Sequence, residues 1–168
     1  MNKSLVLTGM MGVGKSTIGR LIAKRLKIKF IDVDKIIEKK EKKTIKRIFE
    51  DHGEKYFRKL EEKTTLKILK NNKSVIALGG GAFINKEIRH KVLSSCVSVW
   101  LKADLDNLIK RYNKNDRRPL LDKKKLNTDV RRIYQSRKKI YSLADFKINC
   151  DNIDKIKIVQ KILNFYAN

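Results

Sequence analysis

The sequence predicts an α/β fold built on a parallel sheet, and three observations predict it. Short apolar runs alternate with amphipathic stretches along the chain, the pattern of strands followed by covering helices. A glycine-rich phosphate-loop pattern stands between the first apolar run and the first amphipathic stretch, the context that pattern requires. A length of 168 residues with 41% hydrophobic content is enough for one domain, 1–168, around a single core.

The elements follow in order. Strands are expected at Ser4–Thr8, Lys29–Asp32, Ser74–Leu78, Cys96–Leu101 and Phe146–Asn149. The first helix carries Ile18, Leu21, Ile22 and Leu26 on one face. A second stripe runs through Phe57, Leu60, Thr64 and Ile68, and the last helix shows Ile156, Val159, Leu163 and Tyr166. These are core faces, and no function is read from them. The single proline, Pro119, sits in a polar, basic segment without clear periodicity, Asn113–Lys125, between two helical patterns. A connection of that length in a compact domain reads as a lid.

Gly9-Met10-Met11-Gly12-Val13-Gly14-Lys15-Ser16 fits G-x-x-x-x-G-K-[ST]. Glycines let backbone N–H groups close around phosphate oxygens, where a Cβ would obstruct them. The helix that starts here points its positive end at the anion. Lys15 adds a mobile point charge for the outer phosphates, and the Ser16 hydroxyl is a hard oxygen ligand suited to Mg²⁺.

Two further clusters fall where strands end, which is where ligands collect in a parallel sheet, and a pair of arginines adds a third feature. Asp32-Val33-Asp34 closes the second strand. Two acids there can divide the work, one holding Mg²⁺ through water and the other orienting or deprotonating a hydroxyl; helix capping is the alternative reading. Gly79-Gly80-Gly81 follows the third strand and lets a ligand approach the backbone closely. Arg58 and Arg137 each read singly as surface charge, but together they can clamp a carboxylate through bidentate contacts.

The net charge of +24 invites a nucleic-acid reading. Against it, 31 lysines outnumber 11 arginines, they are spread along the chain, and aromatic interleaving and reader motifs are missing. Such a charge helps to attract anionic substrates. Cys96 and Cys150 read as small buried hydrophobes, and two histidines give little scope for zinc. The N-terminal apolar run meets Thr8 and Gly9 too soon to form a signal-peptide core, and no run reaches membrane-spanning length, so a cytoplasmic protein is expected.

The series G-M-M-G-V-G-K-S-T-I-G-R, F-I-D-V-D, G-E-K-Y-F-R-K-L-E, G-G-G and R-R-P-L-L, in this order, resembles the shikimate kinases. The loop alone is shared by many kinases; the later motifs are the specific ones. The resemblance implies a P-loop three-layer α/β/α sandwich with a five-stranded parallel sheet, related to the nucleoside-monophosphate kinases, with a substrate-binding region at about 33–61 and a lid at about 113–125. It implies transfer of the ATP γ-phosphate to the 3-hydroxyl of shikimate, on the route to chorismate and aromatic amino acids, by a monomer without nucleic-acid or membrane partners. On this likeness Gly12, Val13, Gly14, Lys15, Ser16 and Thr17 hold the ATP phosphates, Ser16 ligates Mg²⁺, and Asp32 acts on the metal through water. Asp34 binds the shikimate hydroxyls as base or positioning group, Arg58 and Arg137 grip the carboxylate, and Gly80 adds a backbone contact. Arg118 reaches the phosphates from the lid, and Arg111 stacks on adenine. Two departures stand out: Lys139 occupies the middle position of the family's R-x-P-x-Y, and Cys150-Asp151-Asn152-Ile153 lacks a familiar proline. Other small P-loop kinases, acting on gluconate or a nucleoside monophosphate, explain the loop but not the remaining motifs together.

Overall fold

Five parallel strands form one sheet in the order β2-β3-β1-β4-β5. The computed structural model describes residues 3–70, 73–113 and 126–167. Strand β1 is Ser4–Thr8, β2 Lys29–Asp32, β3 Ser74–Ala77, β4 Cys96–Lys102 and β5 Phe146–Asn149. Three of these have the bounds expected from sequence. The third, expected to reach Leu78, ends as a strand at Ala77, although the Leu78 amide still donates to Leu7 O at 3.1 Å. The fourth runs one residue beyond Leu101, to Lys102.

Parallel strands with helices on their faces must be apolar on both sides. Accordingly Leu5, Val6, Leu7, Val75, Ile76, Val99 and Leu101 have no exposed surface. Helix α1 (Lys15–Leu26) packs on the first three strands and on α7 (Lys155–Ala167), which also covers β5. Helix α4 (Lys86–Ser95) packs on β4. A short 3-10 turn, Ala82–Ile84, joins α4 to α3 (Ile45–Ile68) and α6 (Leu126–Tyr141). Helix α2 (Val33–Glu41) leans on α3, and α5 (Leu105–Asn113) on α6.

Two helix stripes are phased differently from expectation. On α1 the buried face is Ile18, Gly19, Ile22 and Ala23, while Leu21 is 37% exposed. Small residues set this phase: a Cβ on Gly19 would lie 2.4 Å from the Phe30 ring, so the glycine lets the helix settle on β2. On α7 the buried positions are Ile158, Val159, Ile162 and Tyr166, and Ile156 is 60% exposed. The stripe Phe57–Ile68 is buried throughout, but Glu61 and Thr65 are buried with it. Helix α3 is kinked at Gly53, which has φ 76 and ψ 173. Cys96 and Cys150 are buried and not joined in a disulfide, as expected.

The chain leaves β1 for β2, returns to fill the slot between them with β3, and then crosses to β4 on the other side. The order therefore reverses beside β1, and the crevice outside the carboxyl ends of β1, β2 and β3 is where this topology binds ligands.

Candidate active site

The phosphate loop opens from the carboxyl end of β1. Gly14, at the N-cap of α1, has φ 106, a backbone state that a side chain resists. Gly9 has φ 129, and a Cβ there would lie 2.4 Å from the Leu101 carbonyl oxygen. The chain can turn out of the sheet here only because both positions are glycine. Lys15 folds back over the loop and donates from Nζ to Gly9 O and Met10 O, both at 2.9 Å. Its amine is thereby held at the mouth of the nest rather than swinging in solvent.

One residue further, Ser16 Oγ donates to Asp32 Oδ2 at 2.6 Å, which joins the loop helix to the end of β2. The other Asp32 oxygen accepts from the Lys35 amide at 3.3 Å and caps α2. The capping reading of this acid therefore holds, and its second oxygen faces the phosphate-loop serine.

Asp34 lies in the first turn of α2, aimed at the glycine turn after β3. Its carboxyl is pushed up from 3.8 to about 7, by burial first and then by the negative charge of Glu61; Lys15 pulls the other way. Its Oδ1 is buried and has no hydrogen-bond partner among the described residues. A buried acceptor left open at the head of a cleft is poised to receive a ligand's hydroxyl.

Glu61 has 2% of its side chain exposed. It accepts from Arg58 Nη1 at 2.6 Å, while its Oε1 is, like Asp34 Oδ1, buried without a partner among the described residues. Burial raises its pKa and Arg58 opposes the rise. Arg58 also donates to Glu54 Oε1 from Nε and Nη2, at 3.1 and 3.0 Å. A guanidinium has five N–H donors, so these three commitments do not exhaust it.

The three glycines after β3 are gripped in turn. A Cβ on Gly79 would meet Glu61 Oε1 at 2.4 Å and Asp34 Oδ1 at 2.8 Å, and one on Gly81 would strike the Arg58 guanidinium at 2.4 Å. Gly80 presents its carbonyl to Arg137 Nη1 at 3.0 Å. Glycine at 79 and 81 lets Asp34, Glu61 and Arg58 draw this close to one turn. The two arginines, far apart in sequence, thus reach the same turn from α3 and α6.

A cleft of about 1220 Å³ connects these groups. Its lining includes Gly12, Gly14, Lys15, Ser16, Thr17, Asp32, Asp34, Arg58, Gly80 and Arg137. Val13 is buried beneath the loop. Arg118, the rest of the expected lid over 114–125, and the side chain of Arg111 lie outside the described residues. Two contributors, Glu61 and Tyr141, lie in motifs quoted from the sequence but received no role there. A signal for Glu61 exists, since a charge three residues after Arg58 falls inside an apolar stripe.

A profile of the shikimate kinases matches residues 11–167. The chain belongs to the shikimate kinase family. The shikimate kinase of Bartonella henselae is 41% identical over 162 residues, which cover 96% of this chain and 77% of that one. The shikimate kinase of Persephonella marina is 38% identical over 161 residues, covering 96% and 97%. Among solved structures, a shikimate kinase from Acinetobacter baumannii in complex with shikimate superposes with a TM-score of 0.94 at 30% identity, covering 98% of this chain and 93% of that one. A gluconokinase from Sinorhizobium meliloti, at 14% identity and a TM-score of 0.58, shares the fold alone.

Proposed function

We infer that this chain transfers the γ-phosphoryl group of ATP to the 3-hydroxyl of shikimate, yielding ADP and shikimate 3-phosphate. Family membership over almost the whole chain carries the reading. The site's geometry agrees with it, since an anion nest, an open carboxylate and two guanidinium groups line one crevice.

Phosphoryl transfer through a loose transition state asks the protein mainly for positioning and charge neutralisation. The backbone amides of 12–17 and the Lys15 amine are assigned to the β- and γ-phosphates. Arg58 and Arg137 are assigned to the shikimate carboxylate, which seats the ring against Gly80. Asp34 then faces the acceptor hydroxyl. With a pKa of about 7 it can accept that proton near neutral pH, which an ordinary aspartate, at 3.8, does far less well. Arg118 is assigned to the transferring group from the lid, and Arg111 to adenine.

The donor set fits Mg²⁺. Ser16 and Asp32 offer hard oxygens 2.6 Å apart at the mouth of the phosphate loop. No group of three or more His, Cys, Asp or Glu among the described residues is placed to hold a metal ion by itself. Mg²⁺ commonly takes one or two protein oxygens, with phosphates and waters completing its shell. When bound, it supplies neutralisation of charge on the phosphate oxygens; Ser16 would hold it directly and Asp32 through water.

A single domain over 1–168, a substrate region at 33–61 and a lid at 113–125 belong to the same proposal. So do a monomeric, cytoplasmic protein and the absence of nucleic-acid and membrane partners. No described helix is long and apolar enough to cross a membrane. The test is ADP release with shikimate, gluconate and nucleoside monophosphates offered separately. Release is expected with shikimate alone; equal or greater release with another acceptor would overturn the assignment.

A further inference from the structure

We propose that the Tyr141 hydroxyl is a positioning group for phosphoryl transfer, tying the acceptor-side glycine turn to the phosphate loop and fixing the gap that the phosphoryl group crosses. The proposal rests on the activity inferred above.

Tyr141 is the last residue of α6 and has no exposed surface. Its ring packs against Trp100 of β4, with centroids 5.9 Å apart. Its hydroxyl donates to Gly80 O, and the same oxygen lies 3.9 Å from Met10 Sδ in the phosphate loop. One side chain therefore touches both halves of the crevice. Burial pushes the phenol above its usual range, so it remains a protonated donor at any working pH.

The carbonyl it holds is not an arbitrary one. Gly80 lies between Gly79, which abuts Asp34 and Glu61, and Gly81, which abuts Arg58. A Cβ on Gly80 would be 3.1 Å from the Met11 amide nitrogen, so the turn rests directly on the phosphate-loop backbone. Arg137, one helical turn before Tyr141, donates to the same carbonyl at 3.0 Å. The glycine turn is thus the hinge-point between acceptor and donor groups, and two donors from α6 clamp it. With Arg137 alone, the carbonyl stays satisfied, but the turn loses its second donor from α6 and the hydroxyl that also touches Met10.

The cost splits unequally between stability and rate. A lost neutral hydrogen bond is worth about 1 kcal/mol to folding. A displacement of about 1 Å across reacting groups can cost about 100-fold in rate.

The experiment is Tyr141→Phe, which keeps the ring against Trp100. Wild type and variant are compared for kcat, for the dissociation constants of shikimate and ATP, and for Tm. The expected result is a kcat roughly 10- to 100-fold lower, both dissociation constants within about 3-fold, and a Tm only a few degrees lower. A kcat within about twofold of wild type, whatever the Tm, would overturn the proposal, because the hydroxyl would then only pack. A loss confined to shikimate affinity would also overturn it, because Tyr141 would then be a binding group. Wild type inactive with shikimate would instead defeat the inferred activity, so the two failures are told apart in one experiment.

Discussion

Asp34→Asn should stabilise the ligand-free protein, and increasingly so as pH rises. The folded-state pKa of Asp34 is raised, from 3.8 to about 7. For a carboxyl shifted in this direction, the neutral form suits the fold, and stability is lost as pH rises through the folded pKa. A pKa difference of that size corresponds to at most about 4 kcal/mol once both states are ionised. Linkage over the window from pH 5 to pH 8 gives a growing penalty of about 2–3 kcal/mol, most of it below pH 7. The amide side chain that replaces the carboxyl cannot ionise, so the variant escapes that penalty. Glu61 should relax as well, because its negative neighbour is gone. The amide carries its own cost in a pocket with an unpartnered acceptor, but that cost does not depend on pH, so the widening of the difference isolates the charge. For a chain of 168 residues, 2–3 kcal/mol amounts to about 5–10 °C in Tm. Thermal unfolding of both proteins at pH 5, 6, 7 and 8 is the assay. A difference in Tm that stays constant across this range would refute the reasoning, since Asp34 would then ionise normally in the fold.

Further expectations concern the rest of the crevice. The acid limb of kcat/KM for shikimate should inflect near pH 7, because that parameter reports the free enzyme's essential groups; an inflection below pH 5 would remove Asp34 as the proton acceptor. Arg58→Ala should weaken shikimate at least tenfold more than ATP, since a carboxylate then loses a charge-assisted partner worth about 1.5–3 kcal/mol; equal losses by titration of both ligands contradict the clamp. Arg118→Ala should lower kcat by about 10³ or more, as for a cation that meets the transferring group; near-normal turnover sinks the lid assignment. Gly19→Ala should destabilise by about 1–3 kcal/mol in denaturant unfolding, because its Cβ would press into the Phe30 ring 2.4 Å away; unchanged stability would mean that α1 is not held this tightly on β2.

Much of this site could be read from sequence because it sits at strand ends. Once β1, β2 and β3 are recognised as parallel neighbours, Gly9–Ser16, Asp32–Asp34 and Gly79–Gly81 must converge. What stayed hidden depends on side-chain direction. Leu21 and Ile156 fit an apolar period but fall off the contact faces of α1 and α7; on α1, Gly19 and Ala23 decide how the helix lies on the sheet. Gly53 gave no warning of the kink in α3, because an isolated glycine is also tolerated within a helix. Glu61 stands in a quoted motif without a role, and its pairing with Arg58 lets it lie buried. Tyr141 ends the R-x-P-x-Y segment, where sequence gives it no role, and the approach of α6 to Gly80 supplies its partner.

The central claim is that acceptor and phosphoryl donor meet above the ends of β1, β2 and β3, with Asp34 at the acceptor hydroxyl. A crystal structure with shikimate and a non-hydrolysable ATP analogue measures this directly. The account predicts an Asp34 oxygen within hydrogen-bond distance of the 3-hydroxyl, and that hydroxyl in line with the terminal phosphate. A shikimate ring bound elsewhere, or an Asp34 side chain turned away from the hydroxyl, would contradict it.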